Sequence, residues 1–510
     1  KMRKPYLFLK TLCLSVAFTF VAQSCTDLEE NLYDTVTPDR FLGTPTSFAA
    51  ALGEAYTSLY GYGGNANIFS LQEITSDEIT VPTRGTDWAD GGNWRRLHTH
   101  EYQSEDDRVR DGWSFCFGGV SACNRLIELF QGQADQGVEG AEAIVAELRA
   151  LRGLYYYWLI DLYGNVPIVT GFADADPAPE TRTRTEVFDF IEDELLAVRE
   201  QLTRESGGAA YGRMNYWAAQ TVLAKLYLNA EVYTGTPKFS EADAVLDDII
   251  NNGPFSLAPN FFDNFVVENS GSPEFIMAIP YDEVFATGFN MSMMTLHYGS
   301  QTTFNLTAQP WNGFCTVQEF YESYEDGDVR KQGFLVGPQF DANGNRILDT
   351  SAEPADPDGA PLTFTPEVNS LTAALRQDGA RIGKWEYEDG GRDNLNNDLA
   401  IFRFADVLLM KAETMLRMGD AAGSLALVNQ IRDRAGVAPF TEVTLENLLA
   451  ERGREMFAEH TRRTDLIRFG RYNDAWWEKP VSDQTKNLFP VPRTQLDANP
   501  NLTQNPGYAE

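Results

Sequence analysis

The chain has 510 residues, 43% of them apolar, which is enough for one large domain or two to three ordinary ones. Its 74 acidic residues against 41 Lys and Arg give a formal charge of -33. Such a field repels phosphate backbones and anionic lipid, which excludes nucleic-acid binding as the main activity.

Lys1, Arg3 and Lys4 precede an apolar run from Tyr6 to Ala22, closed by Val21-Ala22-Gln23-Ser24-Cys25. This reads as a secretory signal peptide over residues 1–24. The run is shorter than the ~20 apolar residues a membrane span takes. Cys25, directly after the small Ser24, resembles the acylated cysteine of the bacterial lipoprotein box, although Gln23 stands where a small residue is usual. Cys25 is therefore the expected lipidation site. Residues 25–40 would form a tether, and the acidic stretch Thr26–Asn31 resembles a signal for export to the outer face. With Cys13 removed and Cys25 acylated, Cys116, Cys123 and Cys315 remain, too few for a disulfide framework. Cys116 and Cys123 on one helix would stand about 10 Å apart along its axis, beyond disulfide reach. They read as small buried hydrophobes.

Helical periodicity dominates the next part. Ile144, Leu148, Leu151, Tyr155, Trp158 and Leu162 recur at intervals of three and four, predicting a helix from Ala141 to Tyr163 that Gly164-Asn165 ends. Asn215–Tyr233 is a second long helix, with Trp217, Leu223, Leu226 and Tyr227 inward. Gly235-Thr236-Pro237 breaks it, and a helix follows with Ser240 as N-cap and Asp243 in the capping-box place. Phe404–Met418, a Gly419-Asp420 turn and Ala421–Ala435 repeat the layout. A long helix, a Gly turn and a second amphipathic helix is the tetratricopeptide scheme, and 116–163 is a further candidate unit.

Residues 254–400 differ, being rich in Pro, Gly, Asn and Asp, and Asp349–Pro366 reads as loop. Such a stretch would sit on the helical scaffold and carry a binding face. A polar organic ligand is held in water by flat apolar faces together with hydrogen-bonding amides or carboxylates. Thr83–Trp94 has this content in a Gly/Asp-rich loop. Trp88 and Trp94 are its aromatic candidates, unless one of them plugs the scaffold. Arg84, Asp87 and Asn93 are its polar candidates. Gln309-Pro310-Trp311-Asn312-Gly313 is a second cluster, from which Trp311 and Asn312 are candidates. Tyr281 is a weaker one.

Other motifs carry less. His98 and His100, two apart, could share a strand face and bind a metal with Glu101, but no further ligand nearby is specified, and a plain strand or loop is the better reading. Asp341–Asn345 opens like a calcium loop, yet Arg346 and Ala352 stand where Gly and Glu belong. Asn343-Gly344 is better read as a hairpin turn. Gly61-Tyr62-Gly63 mimics a dinucleotide fingerprint without the preceding strand. The H-E-x-x-H, G-x-S-x-G and P-loop motifs are missing. Glycoside hydrolysis needs only two carboxylates, so 74 acids leave it open.

Five segments together resemble one family. Leu151-Arg152-Gly153-Leu154-Tyr155-Tyr156-Tyr157 with Leu162–Pro167 is similar to the RALRAFYYF…LYGDVP segment of SusD/RagB-type proteins. Phe402–Met410 with Ala412-Glu413 resembles their RYADVLLMYAEA helix, and Asn429–Gly436 their NxIRxRAG. Glu451-Arg452 through Glu455 and Asp465–Arg468 resemble ERRxEL…RxxDLIRWG. Leu488–Pro492 and Asn499–Tyr508 resemble the closing PIPxxE…NPxLxQNPGY. Gly453 and His460 depart from the pattern, where Arg and Gly are usual. The shared charges read as structural: Arg403 and Asp406 stand three apart as a candidate pair, and Arg452, Glu455, Arg462, Arg463 and Asp465 as supports for helix ends and the C-terminal tail.

The resemblance implies a mostly α fold, a tetratricopeptide-like helical scaffold with an irregular, loop-rich ligand-binding subdomain. Residues 41–510 would be one domain: scaffold 41–253 and 401–470, ligand face 254–400 and tail 471–510. It further implies a non-catalytic lipoprotein, anchored in outer-membrane lipid and exposed at the cell surface. Such a protein binds a nutrient, often an oligo- or polysaccharide, and delivers it to a SusC-type TonB-dependent transporter. No cofactor and no metal are implied. A peptide-binding member of the same family and a surface glycoside hydrolase are the alternatives.

Overall fold

Helix-forming segments with one or more apolar faces must bury them against each other, and here they do so as stacked hairpins. The computed structural model describes residues 45–350 and 359–509. The expected signal peptide, Cys13, Cys25 and the tether lie outside the described residues. Residues 51–510 fold as one unit.

The scaffold comprises α1 (Asp107–Asp135), α2 (Ala141–Leu162), α3 (Arg184–Val198), α4 (Tyr216–Leu228), α5 (Phe239–Asn252), α6 (Phe404–Arg417), α7 (Ala421–Arg434), α8 (Leu445–Met456) and α9 (Arg462–Arg468). α1 packs on α2, α2 on α3, α4 on α5, α5 on α6 and α6 on α7, which is the tetratricopeptide-like layout. The α5–α6 contact joins units that the intervening insertion separates in sequence. The insertion's ends are stapled by β2 (Phe275–Ile279) pairing antiparallel with β4 (Leu399–Arg403), with Leu399 opposite Ile279.

Local chemistry sets the ends. Thr183 and Glu186 form a capping box at the start of α3. Asn215 accepts from Ala218 N at 2.9 Å at the start of α4. Ser240 does not cap α5, which begins one residue earlier, at Phe239. Asp243 instead pairs across the stack with Lys411 Nζ at 2.7 Å and accepts from Thr414 Oγ1 at 2.8 Å. A tertiary ion pair has displaced the local cap.

α2 is buried on all sides, not on one face, because α1 and α3 flank it. Helices α1 and α2 approach so closely that a Cβ at Gly119 would lie 2.1 Å from the Tyr155 ring. Charges on α2 are compensated: Arg152 Nε donates to Glu194 at 3.0 Å. Cys116, Cys123 and Cys315 are buried free thiols.

The C-terminal helices are held by buried charges. Arg403 and Asp406 do not pair with each other. Arg403 ends β4 and donates to Glu274 (2.9 Å), Glu455 (2.8 Å) and Glu459 (2.7 Å). Asp406 accepts from Lys225 and, at 2.9 Å, from Arg452. Arg463 reaches Asp161 at 3.1 Å and the Asn487 carbonyl at 2.7 Å, tying the tail to α2. Gly453 leaves space that Arg462 fills, a Cβ there standing 2.5 Å from its guanidinium, and Arg462 pairs with Asp77 at 2.7 Å. His460 stacks on Tyr62 at 4.1 Å.

The insertion contains short paired strands. Part of Asp349–Pro366 is regular, contrary to the loop expectation: Leu348–Asp349 pairs with Ala360–Pro361, and Thr363–Phe364 with Gly337–Pro338. Phe340 bridges Arg346 around a turn in which Gly344 has φ 81°.

Candidate functional site

One ladder brings the two tryptophan-bearing segments together. β1 (Ile79–Thr80) pairs antiparallel with β3 (Cys315–Thr316). Beyond β1, the chain turns at Gly85 (φ 62°), where Arg84 and Asp87 exchange backbone bonds at 3.1 and 3.0 Å. Trp88 (φ 61°), Asp90 (φ 35°), Gly91 (φ 61°) and Gly92 (φ 81°) are left-handed, reversing the chain into the helix Asn93–His98. Left-handed backbone at non-glycine residues costs of order 1–3 kcal/mol each and persists only where surrounding contacts enforce it. Ahead of β3, the 311–314 segment is strapped to 293–296: Trp311 N donates to Met293 O at 2.7 Å and Asn312 N to Leu296 O at 2.9 Å.

These loops border an open cleft of about 800 Å³. Trp88, Trp94, Trp311, Asp87 and Asn93 line it, together with Tyr298, Asp90 and the first residues of α1, Asp107 and Arg108. Trp88 is half-buried, seated on Gly313, and its Nε1 donates to the Trp311 carbonyl at 2.7 Å. Trp88, Trp94 and Phe314 form an edge-to-face triad with centroids 5.5–5.7 Å apart. Trp94 is only 3% exposed and its Nε1 donates to Asp90 at 2.6 Å, so it is chiefly the floor under Trp88. Trp311 is 38% exposed. Asp87 accepts from the Tyr298 hydroxyl, whose phenol is pushed up by burial and by that carboxylate, so it stays a donor. Asn93 Nδ2 donates to Asp90 O at 3.0 Å, while its Oδ1 has no partner among the described residues.

Three expected residues lie elsewhere. Arg84 is fully buried behind the loop, donating to the carbonyls of Leu375 and Asp378. Asn312 (φ 55°) is also fully buried, its Oδ1 accepting from Arg381 at 2.8 Å. Tyr281 is core: its hydroxyl accepts from Gly63 N at 2.8 Å and donates to Tyr60 O at 3.0 Å. None of the three presents its polar group to the cleft. The buried guanidiniums of Arg84 and Arg381 both bind the Asp378 carbonyl, and burial with mutual repulsion pushes Arg381 down to about 9. Together they clip the 375–379 turn to both tryptophan-bearing loops.

Tyr298, Asp107 and Arg108 give no local sequence signal, because they reach the cleft from other elements. His98 ends a helix and contacts Trp477 O at 2.8 Å, while His100 contacts Thr75 O at 2.9 Å. Burial pushes His98 down to about 4. The two imidazoles do not share a strand face. Among the described residues no cluster of His, Cys, Asp and Glu has metal-binding geometry.

Comparison with known proteins gives the same relatives by sequence and by structure. A family model described as "Starch-binding associating with outer membrane" matches residues 33–228. The model described as "SusD family" matches residues 377–508. The chain is 28% identical to the starch-binding protein SusD of Bacteroides thetaiotaomicron over 86% of its own length and 85% of that protein's. It is 24% identical to SusD-like protein P25 of Formosa agariphila, covering 97% and 99%. In fold it is similar to surface glycan-binding protein A from Bacteroides thetaiotaomicron in complex with laminarihexaose, with TM-score 0.72, 23% identity and coverage of 90% and 99%. A laminarin binding SusD-like protein superposes with TM-score 0.70 at 22% identity, covering 91% and 99%. The order of motifs, the helical stack and these matches agree, and the chain belongs to the SusD family.

Proposed function

We propose that the cleft between Trp88 and Trp311 binds an oligo- or polysaccharide at the cell surface without cleaving it. The observation that carries this is the exposed indole of Trp311 beside the clamped indole of Trp88, in a cleft whose other walls are hydrogen-bonding side chains. Apolar sugar faces stack on such rings, and hydroxyls bond to the carboxylates and amides around them. Relatives named for starch and laminarin binding support the ligand class. Their names as binding proteins support a non-catalytic role. The cleft carboxylates support it too: Asp87 and Asp90 accept bonds from Tyr298 and Trp94, and Asp90 is exposed, unlike a general acid held in an apolar pocket.

The wider reading places the chain at the outer membrane through acylation of Cys25, with residues 25–40 as its tether and residues 41–510 as the binding domain. It hands its ligand to a SusC-type TonB-dependent transporter. Calorimetric titration of the pure protein with panels of oligosaccharides and oligopeptides tests the ligand class, with chromatography of the mixtures afterwards. Saccharide binding without new products supports the proposal. Saccharide products would make the protein a glycoside hydrolase, and binding of peptides alone would make it a peptide receptor.

A further inference from the structure

The cleft is charged as well as aromatic, and its charge is one-sided. Asp87, Asp90 and Asp107 line it, Asp107 paired with Arg110 at 2.7 Å, against one lining cation among the described residues, Arg108. Arg108 is already partly neutralised. Its Nη2 pairs with Asp111 at 3.0 Å, and its guanidinium lies 5.5 Å from the Trp94 ring centroid. Arg376 lies over the Tyr298 ring, at 5.4 Å, but does not line the cleft. The buried cations beneath, Arg84 and Arg381, are committed to backbone carbonyls and, for Arg381, Asn312. The chain as a whole has a formal charge of -33, which adds no net positive field.

Two of the carboxylates are also held in place. Tyr298 fixes Asp87, and Trp94 Nε1 fixes Asp90 Oδ2 at 2.6 Å. Each bond uses one lone pair of an acceptor that has about four, leaving the others available. A pre-oriented carboxylate is a strong acceptor for sugar hydroxyls, which are donors. It equally repels a ligand carboxylate or sulfate brought within a few ångströms.

Resting on the saccharide reading above, we infer that this cleft selects uncharged, hydroxyl-donating saccharides and rejects those carrying uronate or sulfate groups. Asp87 and Asp90, held by the neutral donors Tyr298 and Trp94, are the specificity-determining residues. Binding of the uncharged ligand depends on donation from its hydroxyls to these carboxylates, with the indoles supplying the apolar face.

The test is calorimetry with matched pairs of oligosaccharides of one linkage and length, one member uncharged and the other with its C6 hydroxymethyl groups oxidised to carboxylates. The uncharged member binds about tenfold tighter or better at low salt, and the gap narrows as salt screens the repulsion. Asp87→Asn and Asp90→Asn each shrink the ratio, because each removes one repelling charge while keeping a polar side chain of the same size. An oxidised member that binds as well as or better than its partner would overturn the inference while leaving the saccharide reading intact. A ratio unmoved in both variants would overturn the assignment to these residues. Failure of every pair to bind would overturn the saccharide reading and this inference with it.

Discussion

Gly313 exists as glycine because Trp88 lies on it: a Cβ at position 313 would stand 2.3 Å from indole Cε2. The indole is held on the same segment by its bond to the Trp311 carbonyl. Gly313→Ala therefore has no room unless Trp88 moves. Overpacking of this kind costs about 1–3 kcal/mol. Half-buried Trp88 is the part that gives way more easily than the strapped 311–314 segment. The expected outcome is saccharide affinity about tenfold weaker with a modest fall in melting temperature, read by calorimetry and thermal unfolding on the same preparation.

Arg381 should act on the cleft without touching it. Its guanidinium holds Asn312 Oδ1 and the carbonyls of Arg376, Asp378 and Gly379. Arg381→Met keeps most of the volume but leaves Asn312 Oδ1 and the Gly379 carbonyl unpaired, while Asp378 O keeps Arg84 and Arg376 O keeps Asn312 Nδ2, at about 1–3 kcal/mol for each buried group left unsatisfied. The expected result is lower stability together with weaker ligand binding. Arg381→Lys should recover part of both, since an ammonium can still donate to some of the carbonyls.

The charge network at β4 predicts a larger effect on stability and none specific to the cleft. Arg403→Ala takes the shared cation from Glu274, Glu455 and Glu459, leaving them to Arg434, Arg330 and Lys384 alone. Removing one partner from a buried network costs about 3–5 kcal/mol. Denaturant unfolding should show that loss. The fraction that remains folded should bind ligand normally, because the network lies in the scaffold and not in the cleft lining.

Beside the other buried histidines and Glu78, His460 and Glu73 should contribute opposed slopes to stability between pH 5 and 6.5. Burial pushes His460 from 6.5 down to about 3 and Glu73 from 4.5 up to about 7. As pH falls below 6.5 the unfolded chain protonates its histidine and the folded chain does not, so His460 costs stability toward acid. Glu73 has the opposite sign. Between 4.5 and 7 the folded protein keeps a proton that the unfolded carboxyl has lost, so Glu73 costs stability as pH rises. His460→Gln should flatten the acid loss, and Glu73→Gln should steepen it, each by about 1–2 kcal/mol over this interval. Denaturant unfolding at pH 5 and 6.5 checks both slopes.

Much of the scaffold is legible in sequence because its periodic segments are long. Helix starts and stops at Gly164, Gly235 and Gly419 follow from glycine's access to positive φ, and all three are left-handed here. α3 is equally readable from Val187, Phe188, Ile191 and Leu195 behind its capping box, although the reading above passes over it. Ser240 misleads because Asp243 finds Lys411 on another helix, a partner no local rule supplies. The insertion's ladders of two residues are too short to leave a period.

In the cleft, Trp88, Asp87 and Trp311 are visible because aromatics in Gly- and Asp-rich loops have no regular core face to fill. Arg84 and Asn312 look the same in sequence but point inward. The acceptor that binds Arg84 is a carbonyl 291 residues further along the chain, which composition cannot announce. Tyr298 and Arg108 arrive through β1–β3 pairing and the start of α1, and carry no signal of their own.

The most direct test is the affinity of Trp311→Ala for the oligosaccharide that binds best in the panel, measured by calorimetry beside wild type and Trp88→Ala. Trp311 is 38% exposed, so its removal should leave the fold intact. Loss of one stacked ring should weaken binding about tenfold in each variant, with unchanged circular dichroism. Wild-type affinity in both variants would contradict the account.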